Sequence, residues 1–107
     1  MPQRPVFVYL SFHNCQNSRR IAGYARHVLM IGRSIETDLR LFEDTAVSRI
    51  HCVISLPEDT LIIEDRESTN GTRVNGRMVF EPTELRDGDS ITVGATELKV
   101  RVLADGT

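Results

Sequence analysis

The sequence predicts an all-β sandwich, and three observations support this. Short runs rich in β-branched and aromatic residues recur along the chain. Turn-forming pairs such as Asn70-Gly71, Asn75-Gly76 and Asp87-Gly88 separate many of these runs. No segment shows the apolar spacing of a helix long enough to join a core. About ten short strands with tight turns are typical of two sheets packed face to face.

The N-terminal part of the chain alternates strand-like and polar segments. Residues 6–12 are rich in β-branched and aromatic side chains and predict a strand. The polar residues 13–20, which include two asparagines, predict a loop. Residues 21–26 leave both a short helix and a strand open. Residues 27–32 predict a strand that stops at glycine, and residues 39–42 predict a short one.

Turn residues define the remaining strands. Pro57-Glu58-Asp59 closes one strand, Asn75-Gly76 would close a small hairpin, and Gly94-Ala95 turns the chain into its last strand. The strands predicted here are residues 51–56, 60–64, 72–74, 77–80, 90–93 and 97–103.

Length and composition are those of one ordinary globular domain. The 107 residues are 40% hydrophobic and 26% charged, with a net charge of −2. We therefore expect a single domain over residues 1–107 that binds neither nucleic acid nor membrane. No apolar run approaches the roughly 18 residues of a membrane span, and the N-terminus does not resemble a signal peptide. A cytoplasmic location is expected, or a nuclear one in a eukaryote.

The two cysteines, Cys15 and Cys52, lack the spacing of metal ligands, and no His/Cys set lies near them. We therefore expect neither a metal nor a cofactor. One disulfide is possible, but Cys52 lies in an apolar strand and is expected to be a small buried hydrophobe. That interpretation favours a reducing compartment.

Three polar runs carry groups that suit a phosphate ester. They are Gly32-Arg33-Ser34, Ser48-Arg49-Ile50-His51 and Ser68-Thr69-Asn70-Gly71-Thr72. A sheet that brought these loops to one end would gather a guanidinium, a hydroxyl and a carboxamide. Ser48 and His51 are sequence neighbours without an obvious orienting acid, so they do not indicate a nucleophile–base pair. The runs predict recognition of a phosphorylated partner rather than catalysis.

Together with other runs in the same order, these residues resemble the forkhead-associated (FHA) domain family. The matching residues are Ile31-Gly32-Arg33-Ser34, Asp44, Val47-Ser48-Arg49-Ile50-His51, Ile63-Glu64-Asp65, Ser68-Thr69-Asn70-Gly71-Thr72, Val74-Asn75-Gly76, Leu85, Asp87-Gly88-Asp89, Ile91 and Val93-Gly94. The resemblance covers residues 30–102, whereas residues 1–27 match only as a strand and an irregular connection. It implies a sandwich of about eleven strands whose loops at one end bind phosphothreonine peptides.

The resemblance implies a role for each polar residue of the runs. Arg33 would grip the phosphate, and Ser48 would donate its hydroxyl to a phosphate oxygen. Arg49 would add a second positive charge, and Thr69 would contact the phosphate through its hydroxyl or its amide. Asn70 would bond the peptide backbone on both sides of the phosphothreonine. An ordinary surface, capping or turn role stays open for each of them.

Other loop residues are expected to be supporting or unassigned. The resemblance gives His51 a structural role, hydrogen bonding between binding loops, and makes Gly32 and Gly71 architectural. Glu67 lies just before the third polar run and could either repel an acidic peptide or favour a basic one.

The predicted function is therefore a phosphothreonine-dependent binding module, whose partner is a protein phosphorylated by a serine/threonine kinase. The alternative is a phosphate-independent interaction or autoinhibitory domain that uses the same sandwich. An esterase or phosphatase using Ser48 and His51 is disfavoured, and so is nucleic-acid recognition, since no basic stripe is present.

Overall fold

A computed structural model describes residues 6–13, 18–24, 28–55 and 60–104, which contain eleven strands. The strands are β1 (Val6–His13), β2 (Ser18–Tyr24), β3 (Leu29–Gly32), β4 (Leu39–Arg40), β5 (Cys52–Ser55), β6 (Ile62–Asp65), β7 (Thr72–Val74), β8 (Arg77–Met78), β9 (Thr83–Glu84), β10 (Ser90–Val93) and β11 (Thr96–Ala104). Within these ranges no helix is long and apolar enough to cross a bilayer.

The strands form two sheets that pack around one core. The six-stranded sheet has the order β2-β1-β11-β10-β7-β8, and the five-stranded sheet has the order β4-β3-β5-β6-β9. Strands β3 and β4 are parallel, and the other pairs that hydrogen bond along the two sheets are antiparallel. The expected all-β sandwich of about eleven strands is thus confirmed.

Several predicted boundaries need correction. Residues 18–20 were predicted as loop but belong to β2, where they pair with residues 11–13 of β1. The same pairing settles residues 21–24 as strand. Strand β9 (Thr83–Glu84) was not predicted, because two residues are too few to show a pattern. The predicted turn at Pro57-Glu58-Asp59, residues 14–17 and residues 25–27 lie outside the described residues.

Alternate side chains of both sheets fill the core. Ile31 and Ile63 from one sheet and Ile91 and Leu98 from the other are fully buried. Burying each such side chain contributes about 1.5–3 kcal/mol. Cys52 is buried among them as a free thiol, and burial raises its pKa to about 12. The cysteine therefore behaves as the small hydrophobe that the sequence predicts.

The long connection between β4 and β5, residues 41–51, is anchored by Asp44. The carboxylate of Asp44 accepts hydrogen bonds from the backbone N–H of Ala46 (3.0 Å), the backbone N–H of Ala95 (2.8 Å) and the hydroxyl of Thr96 (2.7 Å). Ala95 and Thr96 lie where β10 turns into β11 in the opposite sheet. Gly94 permits the contact, because an added Cβ would lie 2.8 Å from the Asp44 carboxylate oxygens.

Replacing Asp44 by alanine should lower the free energy of unfolding by about 2–3 kcal/mol, because each hydrogen bond to a charged acceptor contributes about 1.5–3 kcal/mol and the amides regain water in part. Urea denaturation measures the change. The matched control is Glu43→Ala, which removes an exposed carboxylate next to Asp44 and should stay within about 0.5 kcal/mol of wild type. Equal stability of the two variants would contradict the anchoring role.

Candidate functional site

Three loops meet at one end of the sandwich: loop A (residues 33–38), loop B (residues 41–51) and loop C (residues 66–71). Strand β5 is antiparallel to both β3 and β6, so β5 begins at the end of the sheet where β3 and β6 finish. The backbone N–H groups of Arg33 and Ser34 donate to the carbonyls of Ser48 (3.1 Å) and Arg49 (3.0 Å). The backbone N–H of Thr69 donates to Ser48 Oγ at 3.0 Å. The structure therefore brings the three predicted runs together, with Ser48 at their junction.

Gly32 allows loops A and B to approach each other. A Cβ built on this residue would lie 2.1 Å from the carbonyl oxygen of Arg49, a distance that no side chain tolerates. A residue with a side chain at position 32 would therefore push loops A and B apart. The close approach lets the backbone N–H of Arg33 donate to the carbonyl of Ser48.

His51 is fully buried and connects loop B with loop C. Its Nδ1 accepts a hydrogen bond from the backbone N–H of Ser48 (3.0 Å), so its Nε2 carries the proton and donates to the carbonyl of Gly71 (2.8 Å). Since both ring nitrogens bond backbone groups, the imidazole is not arranged to take a proton from the Ser48 hydroxyl.

Loop C is organised by Asp65 at the end of β6. The carboxylate of Asp65 accepts from the backbone N–H of Ser68 (3.1 Å), the hydroxyl of Ser68 (2.5 Å) and the hydroxyl of Thr72 (2.7 Å). The Ser68 oxygen in turn accepts from the backbone N–H of Gly71 (2.9 Å). Partial burial alone would raise the pKa of Asp65, but the hydrogen bonds from Ser68 and Thr72 lower it overall. Asp65 thus stays ionised and holds the loop closed.

Gly71 closes loop C in a conformation that suits glycine. Its φ is +82°, and an added Cβ would lie 2.4 Å from the sulfur of Met78 on β8. A residue with a side chain at position 71 would therefore strain the backbone and displace Met78.

Ser48, Thr69 and Asn70 leave polar groups available at the surface. Ser48 Oγ accepts from Thr69, which leaves the hydroxyl proton free to be donated. The Thr69 amide is occupied by that bond, so its hydroxyl is the group left for a ligand. The Asn70 Nδ2 uses one N–H to bond the carbonyl of Ala46 at 2.9 Å. The second N–H and the carboxamide oxygen of this exposed residue remain available.

Arg33 and Arg49 carry positive charge on two loops whose backbones are hydrogen bonded to each other. Arg33 is partly buried, and its Nε is buried without a hydrogen-bond partner among the described residues. A donor left in that state costs about 1–3 kcal/mol unless an acceptor reaches it. The side chain of Arg49 is exposed beside Ser48.

Arg40 belongs to this neighbourhood, although the sequence interpretation missed it. Its Nε donates to the carbonyl of Arg33 at 3.0 Å, and its guanidinium lies 5.4 Å from the ring centre of Phe42. The alternation Leu39-Arg40-Leu41 is the signal that could have indicated an exposed arginine beside loop A.

Among the described residues, no group of three or more His, Cys, Asp or Glu side chains could hold a metal ion.

Known proteins similar to this chain share both its sequence pattern and its fold. The proliferation marker protein Ki-67 of Mus musculus is 45% identical over 64 residues, which are 60% of this chain and 2% of Ki-67. The FHA domain-containing protein FhaA of Mycobacterium tuberculosis is 42% identical over 73 residues, or 68% of this chain and 14% of FhaA. The chain thus spans a small part of these curated relatives.

A solved structure from a structural and functional analysis of phosphothreonine-dependent FHA domain interactions superposes with a TM-score of 0.79. It is 35% identical in sequence, and the match covers 89% of this chain and 95% of the other. The FHA domain family model matches residues 29–94, which is more than half of the chain. The chain therefore belongs to the FHA domain family.

Proposed function

We propose that this domain binds a partner protein through a phosphothreonine-containing segment seated on loops A, B and C. The observation that carries the proposal is the junction at Ser48, whose hydroxyl keeps its proton free beside the partly buried Arg33. A similar FHA structure, 35% identical, comes from work on phosphothreonine-dependent interactions.

In this proposal the phosphate lies between the two arginines and the two hydroxyls. Arg33 and Arg49 supply charge-assisted N–H donors, and Ser48 and Thr69 supply O–H donors. A phosphate oxygen close to Arg33 would give the buried Nε an acceptor after a small shift of the guanidinium. The site is thus rich in donors, which suits a dianionic ester with three acceptor oxygens.

Asn70 would bond the backbone of the bound segment. One of its N–H groups is committed to Ala46, which fixes the orientation of the carboxamide. The remaining N–H and the oxygen face away from that bond and match the C=O and N–H of an extended peptide. Such a contact holds any sequence equally, so it contributes affinity without side-chain selection.

Phosphorylation would act as the switch. Micromolar binding corresponds to about −8 kcal/mol, and association alone costs at least about 4 kcal/mol. Two or more charge-assisted bonds of about 1.5–3 kcal/mol each would therefore supply much of the free energy of binding. An unphosphorylated threonine offers no charge for Arg33 and Arg49, so its affinity would fall out of the useful range.

In this proposal residues 1–107 form one domain, since β1 and β2 extend the sheet that contains β10 and β11. The domain would recruit a partner and not catalyse a reaction, because His51 is engaged by two backbone groups. The partner would be a product of a serine/threonine kinase, so the proposal includes an intracellular location.

Arg33→Ala should weaken binding of a phosphothreonine peptide roughly 100-fold or more, because at least two charge-assisted bonds are lost. The fold should persist, since the Arg33 contacts to Ser48 and Arg40 use only its backbone. Isothermal titration of a degenerate phosphothreonine peptide pool and its unphosphorylated twin measures the effect.

The control for this experiment is Arg77→Ala, which removes an exposed arginine at the start of β8. Arg77 follows the Asn75-Gly76 turn, which lies at one end of β7, whereas loop C joins the other end of β7. It should bind like wild type. Equal binding of both peptide pools, or unchanged affinity in Arg33→Ala, would instead favour a phosphate-independent interaction domain.

Asn70→Ala and Asn75→Ala should separate binding from stability. Asn70 has one side-chain bond within the described residues and is exposed, so its loss should lower phosphopeptide affinity about 10-fold with little loss of stability. Asn75 bonds Asp89 and Ser90, both at 3.0 Å, and has a φ of +51°. Its replacement should lower the melting temperature and leave affinity intact. If the two variants showed the same changes in phosphopeptide affinity and melting temperature, the result would argue against a ligand contact by Asn70.

A further inference from the structure

A surface cavity of about 360 Å³ lies beside loop C, next to the proposed phosphate site. We call it the acidic groove. Two stretches of the chain line it, and their lining residues are Glu64, Asp65, Glu67, Val79, Phe80, Glu81 and Pro82. The volume falls within the range of small-ligand clefts and suits one long side chain of a bound polypeptide.

The groove combines uncompensated negative charge with an exposed aromatic ring. Asp65 is engaged by Ser68 and Thr72, and Glu64 lies 3.3 Å from Arg66. Among the described residues, no cation pairs with Glu67 or Glu81 within ion-pair distance. Phe80 is 91% exposed, the highest fraction among the exposed large hydrophobic residues described. Carboxylates around an open aromatic face match the chemistry of an arginine, which can pair with the former and stack on the latter.

The groove adjoins the proposed phosphopeptide site through loop C. Asp65 forms part of the groove wall and also holds Ser68 of loop C. Glu67 immediately precedes Ser68, and Thr69 follows it with its N–H on Ser48 Oγ. An extended peptide advances about 3.3–3.6 Å per residue. A segment that crosses loop C would therefore bring a side chain to the groove within a few residues of the phosphothreonine.

We propose that the acidic groove binds an arginine side chain of the phosphorylated partner, near the phosphothreonine in sequence. The inference rests on the proposed function and adds a selected residue to it. The guanidinium would lie against the ring of Phe80 with Glu67 and Glu81 beside it. The partner segment would thus present opposite charges to opposite sides of loop C, the phosphate to Arg33 and the arginine to the groove.

The test uses a phosphothreonine peptide with alanine at its flanking positions. One arginine is moved through each position on either side of the phosphothreonine, and fluorescence anisotropy gives the Kd of each peptide at low and at high salt. The variants are Glu67→Gln and Phe80→Ala. The control is Glu97→Gln, which neutralises an exposed carboxylate on β11, a strand of the six-stranded sheet that does not line the groove.

Arginine at one position should raise the affinity of the wild type roughly fivefold, the sum of a cation–π contact and an exposed ion pair. The gain should fall to about twofold or less in Glu67→Gln and Phe80→Ala, and should persist in Glu97→Gln. Affinity for the arginine-free phosphopeptide should be unchanged in Phe80→Ala and Glu97→Gln, and it should not fall in Glu67→Gln, because that variant removes a negative charge near the proposed phosphate site. Higher salt should reduce the gain.

Two results would overturn this inference alone. One is binding of the phosphopeptides without preference for arginine at any position, and the other is a preference that survives in both groove variants. Failure of every phosphopeptide to bind the folded wild type would instead overturn the proposed function, and the groove proposal with it.

Discussion

The binding end of this domain depends on the buried hydrogen bonds of one histidine. His51 is fully buried, yet each of its four polar groups has a partner. Its backbone N–H bonds Ile31 (2.8 Å), its carbonyl accepts from Arg66 (2.9 Å), and its ring connects Ser48 with Gly71. A buried polar group that lost its partner would cost about 1–3 kcal/mol, so this set favours one arrangement of loops B and C. The spacing between Ser48 and Asn70 follows from that arrangement.

Carboxylates extend the same principle to the rest of the loops. Asp44 fixes loop B to the opposite sheet, and Asp65 folds loop C onto Ser68 and Thr72. In both cases a short acidic side chain takes up backbone or hydroxyl donors that a loop would otherwise leave unpaired. Ser48 and Asn70 each make one side-chain hydrogen bond to the backbone of a neighbouring loop, and each keeps a further donor for a ligand. A preorganised set of donors loses little entropy when it meets a ligand, which is the advantage of such support.

The sequence predicted those parts of the molecule that depend on local chemistry. Strand β10 and the hairpin turn at Asn75-Gly76 lie where β-branched runs and turn residues indicated, and both turn residues have positive φ. The polar start of β2 was missed because its pairing with β1, rather than its own propensity, makes it a strand. The structure brings the three polar runs together at one end of the sandwich. The contact of Arg40 with loop A was not predicted, because sheet register brings these residues together.

Of the acidic groove the sequence indicated only Glu67, because the fold brings Phe80 and Glu81 to it from a distant part of the chain. The net charge of −2 does not show that arginines lie on loops A and B while glutamates lie on loop C and beside it. Oppositely charged regions on either side of one site orient a bound segment and disfavour segments with the reverse charge order. Asn70 contributes nothing to this choice if it bonds only backbone. Residues within the polar runs would therefore set the dependence on phosphate, whereas Glu67, Phe80 and Glu81, which no motif marks, would set the choice among phosphorylated partners.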